Sequence, residues 1–218
     1  MLDLAVLISG EGSNLQAIID AIAQEQLDAR IRVVISNKAT ARGLLRSQKA
    51  GIPTATVEHQ QFSSRESFDR ELIRILDPYA VDLIVLAGFM RILSPVFIAH
   101  FASHILNIHP SLLPRHKGLH THHRVLEAKD QTHGCSVHCV TAGLDEGPVL
   151  AQAILQVLPG EDEGQLQQRV HQLEHQLYPL VLQTIAQGTL NLKDTGHAKT
   201  LYFQADSLLR LHPVTSVP

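Results

Sequence analysis

Three polar residues, Asn107, His109 and Asp145, are of the types that handle acyl chemistry. Asn107 and His109 lie in the run Asn107-Ile108-His109-Pro110-Ser111-Leu112-Leu113-Pro114. In an extended strand residues two apart point the same way, so the two side chains can share one small site. Pro110 and Pro114 stiffen the chain beyond it. An Asn amide is a neutral donor for a developing oxyanion, and a His gives or takes a proton near neutral pH. Leu144-Asp145-Glu146-Gly147-Pro148 reads as a tight turn between two strands, a place from which a carboxylate can reach the histidine and favour its imidazolium form. The plainer alternative is a structural histidine at a strand end.

A second constellation is Ser9-Gly10-Glu11-Gly12-Ser13-Asn14, between an apolar run and an amphipathic stretch. Glycines let a ligand approach the backbone, and amides at a helix N-terminus attract an anion. Ser13 and Asn14 would add side-chain donors at the cap position. The dinucleotide fingerprint needs a third glycine where this chain has Leu15, and an acidic residue where the second strand ends in Ser36-Asn37-Lys38. Both tests fail, so a single phosphate fits better than NAD; the alternative is an ordinary capped turn.

These residues need elements to carry them. Met1–Ile8, Ile31–Ile35, Thr54–Val57, Asp82–Ala87 and His104–Ile108 read as strands. Helices are expected from Leu15, Ile18, Ile19 and Ile22, over 41–50, and over Ser64–Leu76 with Phe68, Leu72 and Ile75 on one face. Strands alternating with helices imply crossovers and a parallel sheet covered on both faces. His133–Thr141 alternates strictly, which suits an antiparallel or edge strand. Residues 163–187 form the strongest helix, with Leu166, Val170, Leu173, Leu177, Leu180, Val181 and Ile185 apolar and a kink expected at Pro179. After Gly188 the pattern weakens through a polar loop, Lys193–Thr200, into a tail.

Composition narrows the class. At 218 residues one α/β domain is expected, large enough to bury a core without staples. The balance of 18 basic against 21 acidic residues leaves no surplus for a nucleic-acid footprint. On one strand face Cys135 and Cys139 would lie about 13 Å apart, too far for a disulfide. Leu83–Met90, the longest apolar stretch, falls far short of the roughly 20 residues that cross a bilayer, and Asp3 argues against a secretory leader. A cytoplasmic protein without membrane or nucleic-acid partners is expected. Of the 14 histidines, His116, His120, His122 and His123 look like a metal cluster; on an extended segment His122 and His123 would face opposite ways, and no metal is expected.

The stretches Gly10–Gln16, Ala87-Gly88-Phe89-Met90-Arg91-Ile92-Leu93, Asn107–Pro114 and Gly118-Leu119-His120-Thr121-His122 closely resemble the folate-dependent phosphoribosylglycinamide formyltransferases, over about residues 2–188. The resemblance implies a Rossmann-like formyltransferase fold: a mixed, mostly parallel sheet with helices on both faces. It also implies a catalytic domain over 1–188, with 189–218 an extension that packs on it or is partly flexible. By the same resemblance Gly12, Ser13 and Asn14 hold the substrate phosphate and Glu174 its ribose hydroxyls. Arg65, Met90, Arg91, Ile92, Leu93 and Asn107 line the side of the co-substrate, 10-formyltetrahydrofolate. His109 is the general acid, Asn107 an oxyanion donor, and Asp145 raises the His109 pKa. Without the resemblance Glu174 reads as a solvated helix charge. Cys139, Ala142 and Glu146 depart from the family pattern; Glu146 could strengthen the charge on His109 or perturb the loop.

Within that superfamily, a formyltetrahydrofolate deformylase would use water as acceptor and normally carries a domain before this one. Methionyl-tRNA formyltransferase carries an RNA-binding domain after it. A non-catalytic nucleotide-binding module would tolerate change at Asn107 and His109. The expected protein is a small-molecule enzyme, monomeric or homodimeric.

Overall fold

A computed structural model describes residues 1–190, Leu192, Leu201–Gln204 and His212–Pro213; the expected polar loop Lys193–Thr200 lies outside the described residues. The first apolar run is strand β1 (Leu2–Ile8), followed by helix α1 (Ser13–Ala23) and strand β2 (Ala29–Ser36). Helix α2 (Arg42–Lys49) and strand β3 (Thr54–Thr56) complete that side of the sheet. The chain then returns through α3 (Arg65–Leu76), β4 (Leu83–Leu86), α4 (Pro95–His100) and β5 (Ile105–His109). Next come α5 (Thr121–Glu127), β6 (Thr132–Cys139), β7 (Val149–Gln156) and α6 (Glu163–Ala186), then the short strands β8 (Leu201–Gln204) and β9 (His212–Pro213).

One sheet has the order β3-β2-β1-β4-β5-β6-β7-β8-β9. The first five strands are parallel neighbours, β5, β6 and β7 pair antiparallel, β8 runs parallel to β7, and β9 antiparallel to β8. The mixed, mostly parallel sheet expected from the sequence is therefore present, and β6 is an interior strand, buried on both faces, rather than an edge. Alternation splits each central strand between two cores. Leu4, Val6, Ile8, Leu83 and Val85 pack with α1, α2, α5 and α6, whereas Ala5, Leu7, Ile84 and Leu86 pack with Phe68, Leu72, Leu76 and Phe97 of α3 and α4. Each face thus removes apolar area from water, the main driving force for assembly.

Strand order reverses beside β1: the chain fills one side with β2 and β3 and then returns to place β4 on the other. Such a switch point opens a crevice beyond the carboxyl ends of the strands. The Gly10–Asn14 turn, the 87–93 segment and His109 leave the ends of β1, β4 and β5 there. Helix α6, capped by Asp162 and Gln165, runs through Pro179 without interruption beneath this region. Its fully buried Tyr178 places its hydroxyl 3.2 and 3.1 Å from the carbonyl oxygens of Leu86 and Leu106, bracing the ends of β4 and β5.

Candidate active site

The glycine turn is built by backbone packing. Gly12 is the N-cap of α1, at φ 72°, in the left-handed region that glycine enters without strain. A β-carbon there would lie 2.7 Å from Gly43 Cα, because α2 packs directly on the turn. Gly43 N–H donates to the Gly10 carbonyl at 3.1 Å. Arg46 adds a strap, donating through Nε to the Glu11 carbonyl at 2.9 Å and through its second terminal nitrogen to the Glu11 carboxylate at 2.8 Å. Hydrogen bonding from Arg46 leads the effects that hold the Glu11 carboxyl below its usual range.

The cap position itself is taken by Gly12; Ser13 opens the helix, and no side chain caps it. Asn14 turns inward instead and donates through Nδ2 to Glu174 Oε2 at 2.8 Å. Glu174 is 4% exposed, not the solvated charge its position beside an apolar stripe suggested. Burial pushes its pKa up to about 7, against the opposing Asn14 hydrogen bond. Asn14 Oδ1 is buried with no hydrogen-bond partner, leaving an acceptor open to a ligand hydroxyl.

Across the crevice, the β5–β6 register sets Asn107 opposite His138 and His109 opposite Ser136. His109 is buried; its Nδ1 lies 3.5 Å from Asp145 Oδ2, and its Nε2 lies 3.0 Å from the His116 carbonyl oxygen, which can only accept. Nε2 therefore carries a hydrogen, and a proton on Nδ1 would face the carboxylate. Asp145 stands in the turn between β6 and β7 with φ at 51°, fixed by the Gly118 N–H donating to Oδ2 at 2.9 Å. Its Oδ1 lies 3.7 Å from Nε2 of His138. The nearby Glu146 points elsewhere: it is exposed and pairs with Lys117 at 3.1 Å, so its charge is taken up away from His109.

Between these poles lies the 87–93 segment. The Met90 N–H donates to buried Ser9 Oγ at 2.7 Å, tying it to the glycine turn. Met90 and Ile92 are exposed while Leu93 is buried, so the segment offers apolar surface from an anchored base. Arg91 is half-buried, with its Nε lacking a partner. Arg65 opens α3 and is exposed. Buried Asp69, one helical turn further along α3, accepts the Ser94 N–H and so fixes the far end of the segment; burial raises its pKa. Asp69, Arg46 and His138 carried no functional signal in the sequence, and Ser9 was readable only as the start of the glycine turn, not as the acceptor that ties it to Met90.

The histidine cluster disperses. The 121–127 segment is a helix, not extended, and it turns His122 inward to His133 at 3.0 Å while His123 is exposed beside Glu127. His116 pairs with Asp130 at 2.7 Å, and His120 is exposed at the helix N-cap. Among the described residues no group of three His, Cys, Asp or Glu is arranged to hold a metal ion. Cys135 and Cys139 are free and buried, and burial raises both thiol pKa values. No helix among the described residues is long and apolar enough to cross a membrane.

A switch-point crevice with the glycine turn on one wall and a buried histidine facing a half-buried aspartate on the other suits acyl transfer between a phosphorylated acceptor and an apolar donor. The formyl transferase family model matches residues 2–182, and the chain belongs to that family. It is 53% identical over 195 residues to phosphoribosylglycinamide formyltransferase of Escherichia coli (strain K12), covering 89% of this chain and 92% of the relative. It is 50% identical over 189 residues to the trifunctional purine biosynthetic protein adenosine-3 of Drosophila pseudoobscura pseudoobscura, covering 86% of this chain but 14% of that longer protein. The structure of the Coxiella burnetii phosphoribosylglycinamide formyltransferase in complex with CHES superposes with a TM-score of 0.84 at 52% identity, over 87% of this chain and 89% of that one.

Proposed function

We propose that the protein transfers the formyl group of 10-formyltetrahydrofolate to the glycine amine of 5′-phosphoribosylglycinamide, a step of de novo purine biosynthesis, in the cytoplasm. The observation that carries this reading is the approach of Asp145 to His109 beside Asn107, at a crevice whose other wall is the Gly12 turn. The names of the relatives support formyl transfer to phosphoribosylglycinamide. In this reading residues 1–188 are the catalytic unit and 189–218 an extension of it.

The phosphate rests on the amides of Gly12, Ser13 and Asn14, and the ribose hydroxyls meet Glu174 and the open Oδ1 of Asn14. The folate lies along Met90–Leu93, with Arg65 and Arg91 supplying positive charge. The amine nitrogen attacks the formyl carbon and a C–N bond forms. Negative charge develops on the formyl oxygen, stabilised by an Asn107 N–H and by the protonated His109, each typically worth about 3–4 kcal/mol. The oxygen must share or take over the Nε2 hydrogen that now bonds the His116 carbonyl. Asp145 supports the imidazolium charge through Nδ1. The intermediate collapses by breaking the bond to folate N10, and the proton lost by the amine reaches N10, giving the formamide and tetrahydrofolate.

Formyl transfer from 10-formyltetrahydrofolate, measured with and without phosphoribosylglycinamide, tests this directly. Amine-dependent turnover is expected. Equal deformylation without the amine would assign the protein to hydrolysis instead.

A further inference from the structure

Beside the reacting residues lies an imidazole without a part in this scheme. His138 faces Asn107 across the β5–β6 ladder and is 2% exposed. Its Nδ1 is 2.9 Å from the Cys139 carbonyl oxygen, which can only accept, so Nδ1 carries a hydrogen. Burial lowers the ring's pKa, outweighing the nearby Asp145, and opposes a second proton on Nε2. A neutral ring protonated at Nδ1 presents a bare lone pair at Nε2. That lone pair faces Asn107 Nδ2 at 3.1 Å. The opposite amide orientation would set Oδ1 against a second acceptor, so the hydrogen-bond pattern itself selects the amide rotamer.

We propose that His138 is a positioning residue: its Nδ1-protonated form, set by the Cys139 carbonyl, fixes the Asn107 amide so that one N–H rests on His138 and the second is left for the formyl oxygen. The same form protects the pairing of Asp145. His138 Nε2 lies 3.7 Å from Asp145 Oδ1 but has no hydrogen to offer, so the carboxylate remains with His109, 3.5 Å from its other oxygen. A donor at Nε2 would turn the amide round and draw Asp145 away in one step. The inference rests on the proposed role of Asn107 as oxyanion donor.

Nitrogen-15 spectra of the histidine-labelled full chain read the tautomer without turnover. At neutral pH His138 is expected to be protonated at Nδ1 and bare at Nε2. A hydrogen on Nε2, in either the other neutral form or the cation, overturns the proposal whatever the activity. Kinetics supply the second arm. His138→Phe keeps a planar ring without the lone pair and should lower kcat about 10- to 100-fold, part of the loss typical of a missing oxyanion donor, with KM for phosphoribosylglycinamide within about twofold. His138→Gln, which can return an acceptor, should recover most of kcat. In an Asn107→Ala background the Phe substitution should cost nothing more, since the two residues act as one unit. Additive losses, or a change confined to KM, contradict the proposal. Failure of the wild-type protein to transfer formyl would sink the functional reading instead, while the spectra still decide the tautomer.

Discussion

The two walls of the crevice are built on different principles. The Gly12 wall is backbone: a left-handed glycine, the first amides of α1, which have no partner within the helix, and a second helix pressed close enough that no β-carbon fits between them. The β5–β6 wall is side chain: Asn107, His109, His138 and Asp145 hold one another through hydrogens whose placement depends on fixed carbonyl acceptors. Backbone amides offer the same donors to ground state and transition state, which suits binding of a phosphate that does not react. Titratable side chains can respond as charge develops, which suits chemistry. Damage to the first wall should therefore raise KM, and damage to the second should lower kcat.

The largest separation is expected from Asp145→Asn. It keeps the shape but removes the charge facing His109 Nδ1, and kcat should fall about 100-fold, at the low end of acid–base contributions, with KM little changed. Steady-state kinetics with both substrates check this; a loss carried by KM would erase the contrast between the walls. Gly12→Ala attacks the other wall. Positive-φ strain and the contact with Gly43 together cost roughly 1–3 kcal/mol, which should raise KM for phosphoribosylglycinamide about 10-fold while kcat holds. A fall in kcat at constant KM would show that the turn takes part in the chemistry.

Glu174 gives a smaller and pH-dependent contrast. The native state holds its proton up to about pH 7, whereas the ordinary glutamate value is 4.5. Between those values the native state binds more protons than the unfolded chain, so stability falls as pH rises across the window. The contribution is fully present below the lower value and lost as pH passes the upper one, a change on the order of 3 kcal/mol. Denaturant unfolding of Glu174→Gln should flatten that slope and leave the variant the more stable protein above pH 7. An unchanged slope would mean that Glu174 is ionised in the native state. Least affected should be Glu146→Gln: an exposed pair with Lys117 is worth about 0–1 kcal/mol, and both kinetic constants should stay within about twofold. A larger loss in kcat would show that its charge reaches His109.

How much of this was legible in the sequence differs between the walls in the same way. The glycine turn and the Asn107–His109 spacing were readable because glycine content and the two-residue strand period are local properties. Strand β6 and its antiparallel sense followed from alternation, but its interior place depends on β7 and on segments beyond it. Glu174 was unreadable from its own helix, since its partner Asn14 is 160 positions away in the chain. The segment carrying His122 and His123 reads as extended for a different reason. The helix Thr121–Glu127 has only 7 residues, too few to display a period, and polar residues hid its start. His138 was visible only as one face of a strand; which of its nitrogens carries hydrogen depends on the Cys139 carbonyl and on the register with Asn107.

A single-turnover measurement of formyl transfer by His109→Ala, with phosphoribosylglycinamide binding measured separately on the same variant, tests the division most directly. The expected result is acceptor affinity within about twofold of wild type and a transfer rate lowered by about 100-fold or more, the loss of the group that donates to the formyl oxygen. A near-wild-type transfer rate in a variant that still binds the acceptor would contradict the assignment of the chemistry to this wall.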